Sequence, residues 1–100
     1  MNVHLSFDRD ALAELCRRHH IRRLALFGSV LKGTAQADSD IDFLVEFVPG
    51  KEPGLIHLAA IEASFSKLLG GRRVDLRTAQ DLSKHFRTEV LRSAQVQYAA

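Results

Sequence analysis

The chain has 100 residues, of which 46% are hydrophobic and 26% charged, with a formal net charge of +2 and a single cysteine, Cys16. This length predicts one domain over residues 1–100 and excludes a multidomain enzyme. The sequence has no bilayer-spanning apolar run, no signal-peptide core at its start and no second cysteine, so we expect a cytoplasmic protein without membrane contact.

The first predicted element is a helix over about residues 7–18, where apolar residues recur at helical spacing. Ser6 is the candidate N-cap, with support from Asp8 and Asp10 in the first turn. The side chains expected to face the core are Leu12, Leu15 and Cys16.

Residues 21–27 are dense in aliphatic side chains and predict a first strand. Gly28 follows, where the backbone must turn sharply or approach a ligand closely. Ser29 then opens a short helical turn that reaches Lys32 and stops at Gly33. The free N–H groups of such a turn, the Ser29 hydroxyl and the Lys32 ammonium group suit a phosphate.

The second predicted strand spans residues 40–47, where side-chain character alternates with a period of two. One side is apolar and is expected to pack, while the other is acidic and is expected to face a cleft or water. The apolar side consists of Ile41, Phe43, Val45 and Phe47, and the other side of Asp40, Asp42, Leu44 and Glu46.

The second half of the chain predicts three helices and one more strand. The helix over about residues 55–69 carries one apolar stripe and ends at Gly70-Gly71. The other predictions are a loop over 48–54, a strand over 73–77, a short helix over 78–84 and a last helix over 86–94. This order predicts an α/β (α+β) fold, a small mixed sheet with helices packed mainly on one face.

Carboxylates on one face of a strand predict a cation site. At an effective dielectric near 20, two like charges ~4 Å apart cost roughly 4 kcal/mol, so the Asp40 and Asp42 pair must take up a proton, splay apart or bind a cation. Ligands that are all oxygen favour Mg²⁺ or Mn²⁺ over zinc. If residues 73–77 lie beside residues 40–47, Asp75 joins this face and can bind metal or accept a proton from an attacking hydroxyl.

Gly28-Ser29, ten intervening residues, Asp40-x-Asp42 and a later strand aspartate, Asp75, form a recognisable pattern. In these residues the chain resembles the minimal nucleotidyltransferases of the DNA-polymerase-beta-like superfamily. It is particularly similar to the small antitoxins of HEPN/MNT toxin–antitoxin pairs, and the resemblance extends over nearly the whole chain.

The resemblance implies a polymerase-beta-like nucleotidyltransferase fold and transfer of AMP from ATP to a hydroxyl, a tyrosine of a partner HEPN toxin in such antitoxins. By the same resemblance, Gly28, Ser29 and Lys32 hold the nucleotide. Asp40 and Asp42 bind two Mg²⁺ ions, with Mn²⁺ as the other candidate metal, and Asp75 serves the acceptor side as a third catalytic and metal-binding carboxylate.

Many relatives have arginines where this chain has Val30 and Lys32, and lysine lacks the bidentate fork of arginine. This departure keeps open a second function, a non-catalytic antitoxin that neutralises its toxin by stoichiometric binding. A third reading, a nucleic-acid binder, rests on the arginine clusters. It is not expected, because the net charge is small and no aromatic residues are interleaved with those clusters.

Several charged residues have simpler interpretations. The arginines that flank Asp75 are expected to pair with local acids rather than with a phosphate. Glu46 is expected to be a surface residue, although it shares the acidic side of its strand. The five histidines lack metal-ligand spacing near the acids and are interpreted as structural or surface residues.

Overall fold

The structure, a computed structural model, describes residues 7–27 and 40–100. In chain order the elements are helix α1 (Arg9–Arg18), strands β1 (Ile21–Phe27) and β2 (Ile41–Phe47), helix α2 (Leu55–Leu68), strand β3 (Val74–Arg77), a 3-10 turn (Ala79–Asp81), helix α3 (Lys84–Ser93) and strand β4 (Gln95–Ala99). Within these ranges, no helix is both long enough and apolar enough to cross a membrane.

The four strands form one mixed sheet in the order β3-β2-β1-β4. β1 is antiparallel to both β2 and β4, whereas β2 and β3 run parallel. A parallel pair needs a crossover connection, and α2 supplies it between β2 and β3. The predicted mixed α+β architecture is therefore confirmed.

One face of the sheet, here called the core face, is covered by α1 and α2. α1 packs on β1, α2 packs on β3, and the two helices contact each other. The apolar sides of the strands and helices meet in a single buried cluster, as the alternation in residues 40–47 and the stripe on the second helix predicted. Its fully buried members include Leu12, Cys16, Leu24, Leu26, Ile41, Phe43, Ile61 and Phe65.

The first helix begins one residue after its cap, Asp8. The Asp8 carboxylate accepts hydrogen bonds from the backbone N–H groups of Asp10 at 2.9 Å and Ala11 at 3.2 Å. Asp8 is therefore the N-cap, in place of the predicted Ser6, which lies outside the described residues. Burial raises the pKa of the Cys16 thiol to about 12, as expected for a packed, unreactive cysteine.

The second helix ends where the glycines predicted. Gly70 and Gly71 have φ angles of 76° and 86°, in the left-handed region that other residues avoid. The Gly71 N–H donates to the Ser66 carbonyl at 2.8 Å, which satisfies one of the last carbonyls of α2.

Helix α3 lies on the opposite face of the sheet from α1 and α2. Its Val90 forms a second apolar cluster with Phe27 and Leu82, against which Leu44 and Ala94 also pack. The Arg87 guanidinium joins the 3-10 turn to this helix by donating to the carbonyls of Ala79 at 2.6 Å and Leu82 at 3.2 Å. The predicted short helix over 78–84 is only this turn, because Ser83 caps α3 and starts it at Lys84.

The last strand, β4, has no counterpart in the prediction, which ended the final helix at residue 94 and predicted no further element. Residues 95–99 instead pair antiparallel with β1 and form an edge of the sheet. Tyr98 packs against the main core from this strand. The physical reason for the difference is tertiary: the strand gains its hydrogen bonds from an otherwise unpaired edge of β1.

Candidate active site

The site is built on the face opposite the core face, here called the acidic face. Parallel pairing of β2 and β3 places Asp42 directly beside Asp75. Register partners on neighbouring strands lie about 4.8 Å apart and point to the same side of the sheet. Both side chains are partly buried. The prediction that Asp75 joins the acidic face is therefore confirmed by the register.

Asp40 completes the group of acids at the same end of the sheet. It immediately precedes β2 and is exposed. The Ile41 N–H donates to the Arg73 carbonyl at 2.8 Å, so the parallel pairing starts level with these residues. Three carboxylates thus come from the starts of two adjacent strands, a rigid support for a site.

The electrostatic cost of this arrangement falls on Asp42. Burial raises the pKa of the Asp42 carboxyl most, and the negative charges of Asp75 and Asp40 raise it further, while Arg77 opposes them. A carboxylate that is partly desolvated beside two others gains by binding a proton or a cation. Such a perturbed acid is typical of a functional site.

Two arginines pair with the flanking carboxylates. Arg77 donates to the Asp75 Oδ2 from its Nε at 3.3 Å and from a terminal nitrogen at 3.1 Å. The Arg73 Nε lies 3.9 Å from the Asp40 Oδ2, and both of these side chains are largely exposed. The expectation that the arginines around Asp75 pair with local acids is confirmed for Arg73 and Arg77.

The chemistry of the donor set fits a hard divalent cation, because Asp40, Asp42 and Asp75 offer only oxygen ligands. In the structure the three carboxylates do not converge on one point, since those of Asp40 and Asp75 are turned towards arginines. In the part of the chain that the structure describes, no three His, Cys, Asp or Glu side chains form a group that could hold a metal ion. Metal binding at these residues would therefore require Asp40 and Asp75 to rotate away from their guanidinium partners.

The predicted nucleotide-binding residues Gly28, Ser29 and Lys32 lie outside the described residues, as does Val30. What the structure does fix is where β1 ends. Phe27, its last residue, is the register partner of Asp42. β1 therefore ends beside the acidic residues, immediately before Gly28 in the sequence.

One residue that supports the site was not predicted. β3 is an edge strand, and the Glu62 carboxylate of α2 accepts a hydrogen bond from the Leu76 N–H at 2.8 Å. This bond satisfies a backbone donor next to Asp75 and ties β3 to the helix. The sequence signal was a glutamate on the buried side of α2, between Ile61 and Phe65. Glu46, in contrast, is exposed and paired with Arg22, as a surface residue should be.

Comparison with known proteins agrees with this geometry. The model of the nucleotidyltransferase domain family matches residues 9–96. Protein adenylyltransferase MntA from Thermococcus cleftensis is 38% identical over 79 residues, which are 79% of this chain and 77% of that protein.

Among solved structures, a protein assigned as a minimal nucleotidyltransferase is 41% identical, with a TM-score of 0.69, over 86% of this chain and 85% of its own. A toxin–antitoxin complex with AMP-PNP has the same fold, with a TM-score of 0.71 and 21% identity over 93% of this chain and 74% of its own. The resemblance seen in Gly28-Ser29, Asp40-x-Asp42 and Asp75 is thus confirmed, and the chain belongs to the nucleotidyltransferase domain family as a minimal nucleotidyltransferase.

Proposed function

We propose that this enzyme transfers AMP from ATP to a hydroxyl of a partner HEPN toxin, most simply a tyrosine, and thereby acts as an antitoxin. The observation that carries the proposal is the register of Asp42 with Asp75 on one face of the sheet, with Asp40 beside them. Support for a protein acceptor comes from the MntA relative, which is a protein adenylyltransferase. Support for a nucleotide and a toxin comes from the similar toxin–antitoxin complex with AMP-PNP.

Asp40, Asp42 and Asp75 are the residues that would hold Mg²⁺, two ions in the proposed complex, with Mn²⁺ as a substitute. When bound, such ions neutralise charge on the transferred phosphate and on the leaving pyrophosphate. Gly28, Ser29 and Lys32 are proposed to hold the triphosphate. This assignment is supported by the end of β1 beside Asp42.

In the proposed reaction the acceptor oxygen attacks the alpha-phosphorus in line with the bridging oxygen that leads to the beta-phosphate. A new oxygen–phosphorus bond joins AMP to the acceptor, and the bond to the bridging oxygen breaks to release pyrophosphate. Asp75 takes the hydroxyl proton. In this role Asp75 has turned away from Arg77, whose guanidinium holds the Asp75 Oδ2 in the structure.

A second function, stoichiometric neutralisation of the toxin without transfer, is favoured by one observation. Arg77 and Arg73 already pair with Asp75 and Asp40, so the chain neutralises part of its own acidic charge without a metal ion. If those pairs persist with ATP and Mg²⁺ present, the acids are structural. The protein would then bind its partner with no covalent change.

The test is to incubate the chain and the protein encoded beside it with alpha-labelled ATP and Mg²⁺, and then to locate any adduct by mass spectrometry. The proposal predicts one AMP on a hydroxyl side chain of the partner, and no adduct with Asp42→Asn. A tight complex that stays unlabelled with the wild-type chain would instead establish the stoichiometric function. A gamma-labelled control distinguishes AMP transfer from phosphate transfer.

A further inference from the structure

The acidic face carries a second feature, a cavity of about 420 Å³ that is separate from the three aspartates. Its floor includes Ala25 and Leu44, and its walls come from the turn after β3, including Thr78 and Gln80. Pockets that bind small molecules have volumes of about 300–1,000 Å³, so this space is large enough for one or two side chains of a partner.

The cavity lies on the same strand face as the acids but further along β2. Two cavity residues, Leu44 and Glu46, follow Asp42 by two and four positions on β2. The cavity therefore lies about 7–13 Å from Asp42 along the strand. β1 runs antiparallel to β2, from Arg23 and Ala25 beside the cavity to Phe27, which is level with Asp42. The residues proposed to hold the triphosphate follow Phe27, at the end of β1 that is away from the cavity. In-line transfer requires the attacking oxygen to enter opposite the leaving pyrophosphate. The acceptor should therefore approach from the side of the cavity.

The charges of the lining distinguish the kinds of ligand that fit. Two arginines and two glutamates line the cavity, and Arg22 is paired with Glu46. The other two, Arg23 and Glu52, make no side-chain hydrogen bond or ion pair with any residue that the structure describes. A polyphosphate would meet the negative charge of Glu46 and Glu52. A polypeptide segment that carries both an acidic and a basic side chain would match Arg23 and Glu52.

We infer that this cavity is the docking site of the acceptor polypeptide, and that Arg23 and Glu52 pair with a carboxylate and a cationic side chain that flank the modified hydroxyl. The inference rests on the proposed transfer to a protein and names the surface that selects the acceptor. Arg23 and Glu52 are both exposed, so their replacement should leave the fold unchanged.

The experiment measures AMP transfer to the partner with Arg23→Gln and Glu52→Gln, at varied acceptor and varied ATP concentrations. Each variant should raise the KM for the acceptor about twofold to fivefold, as expected for loss of one exposed charge pair, and leave the KM for ATP unchanged. The matched controls Arg18→Gln, on the last turn of α1, and Glu89→Gln, on α3, remove the same charges elsewhere and should change neither.

A photo-crosslinking side chain placed at Gln80, an exposed residue of the cavity wall, provides a second readout. It should capture the partner peptide that also carries AMP, and the same group at Ala63 on the outer side of α2 should not.

Unchanged acceptor KM values, a rise in the KM for ATP alone, or crosslinks from Gln80 to peptides far from the adduct would overturn the inference while the proposed transfer stands. If the wild-type chain transfers no AMP, the proposed function fails, and the acceptor site fails with it.

Discussion

Asp42 and Asp75 are register partners on the parallel strands β2 and β3, so their carboxylates share one face of the sheet at the same height. Neither strand needs this arrangement for stability, since the buried apolar side chains of β2 and β3, such as Phe43 and Leu76, lie on the other face. The pair instead imposes a cost, because burial and the neighbouring acids raise the pKa of Asp42. An unfavourable interaction that is retained at one place in a stable fold is characteristic of a functional site.

Asp42→Asn should separate activity from stability. The amide keeps the shape of the side chain and removes one of three crowded negative charges. Without divalent cations, the free energy of unfolding of this variant at neutral pH should be at least that of the wild type, to within about 0.5 kcal/mol. AMP transfer should fall about a hundredfold or more, since a metal ligand is worth several kcal/mol to the transition state. Urea denaturation and a labelled-ATP assay measure the two quantities, and a clear loss of stability would contradict this explanation.

The pH dependence of stability follows from the direction of the Asp42 shift. Its pKa is higher in the folded protein, so protonated Asp42 is favoured by folding. Its contribution is fully present below the unfolded pKa of about 3.9 and is lost as the pH rises through the raised folded pKa. In EDTA, the unfolding free energy of the wild type should therefore fall relative to that of Asp42→Asn as the pH rises from the unfolded to the folded pKa. Above the folded pKa the difference between the two proteins should be constant. A difference that is independent of pH would show that Asp42 titrates normally.

Glu62 should affect both stability and catalysis, because it holds the strand that carries Asp75. Glu62→Ala leaves the Leu76 N–H without its 2.8 Å acceptor, which should cost about 1–3 kcal/mol. Transfer should also fall about tenfold, as expected when a supporting residue loosens a catalytic group. Glu62→Gln retains an acceptor oxygen and should recover most of both losses.

The control for this effect is Glu14→Ala, which removes an exposed ion pair with Arg17 on α1 and should cost under about 1 kcal/mol. Equal effects of Glu62→Ala and Glu14→Ala on unfolding, or full activity of Glu62→Ala, would contradict a positioning role.

Arg87 should contribute to the attachment of α3, in addition to the apolar cluster around Val90. Arg87→Ala removes hydrogen bonds to the Ala79 and Leu82 carbonyls, and the loss should lower the free energy of unfolding by about 1–3 kcal/mol. Arg92→Ala, in the last turn of the same helix, should change it by under about 0.5 kcal/mol. Thermal unfolding of the two variants side by side measures the contrast, and similar midpoints would contradict it.

The catalytic carboxylates were predictable because strand periodicity is local. Alternation in residues 40–47 separates Asp42 from the core, and the same alternation separates Asp75 from Val74 and Leu76. Only the adjacency of the two strands had to be assumed, and the structure shows them paired in parallel across the connection through α2. Local pattern therefore predicts the acidic face well.

Features that depend on long-range contacts were not predictable. β4 is stabilised by pairing with the free edge of β1, and the placement of α3 depends on contact of Val90 with Phe27. The hydrogen bond from Leu76 to Glu62 joins residues that are 14 apart in sequence. Periodicity carries no signal for such pairs, because each depends on where two distant elements meet.

The most direct test of the account is whether these aspartates bind divalent cations together with the nucleotide. Calorimetric titration of Mg²⁺ into the chain, with an ATP analogue that has a methylene bridge between its alpha- and beta-phosphates, measures this without turnover. The analogue should strengthen Mg²⁺ binding in the wild type, and Asp42→Asn and Asp75→Asn should each weaken it about tenfold or more. Binding of the analogue with equal affinity in the presence and absence of Mg²⁺, unaffected by either substitution, would contradict it.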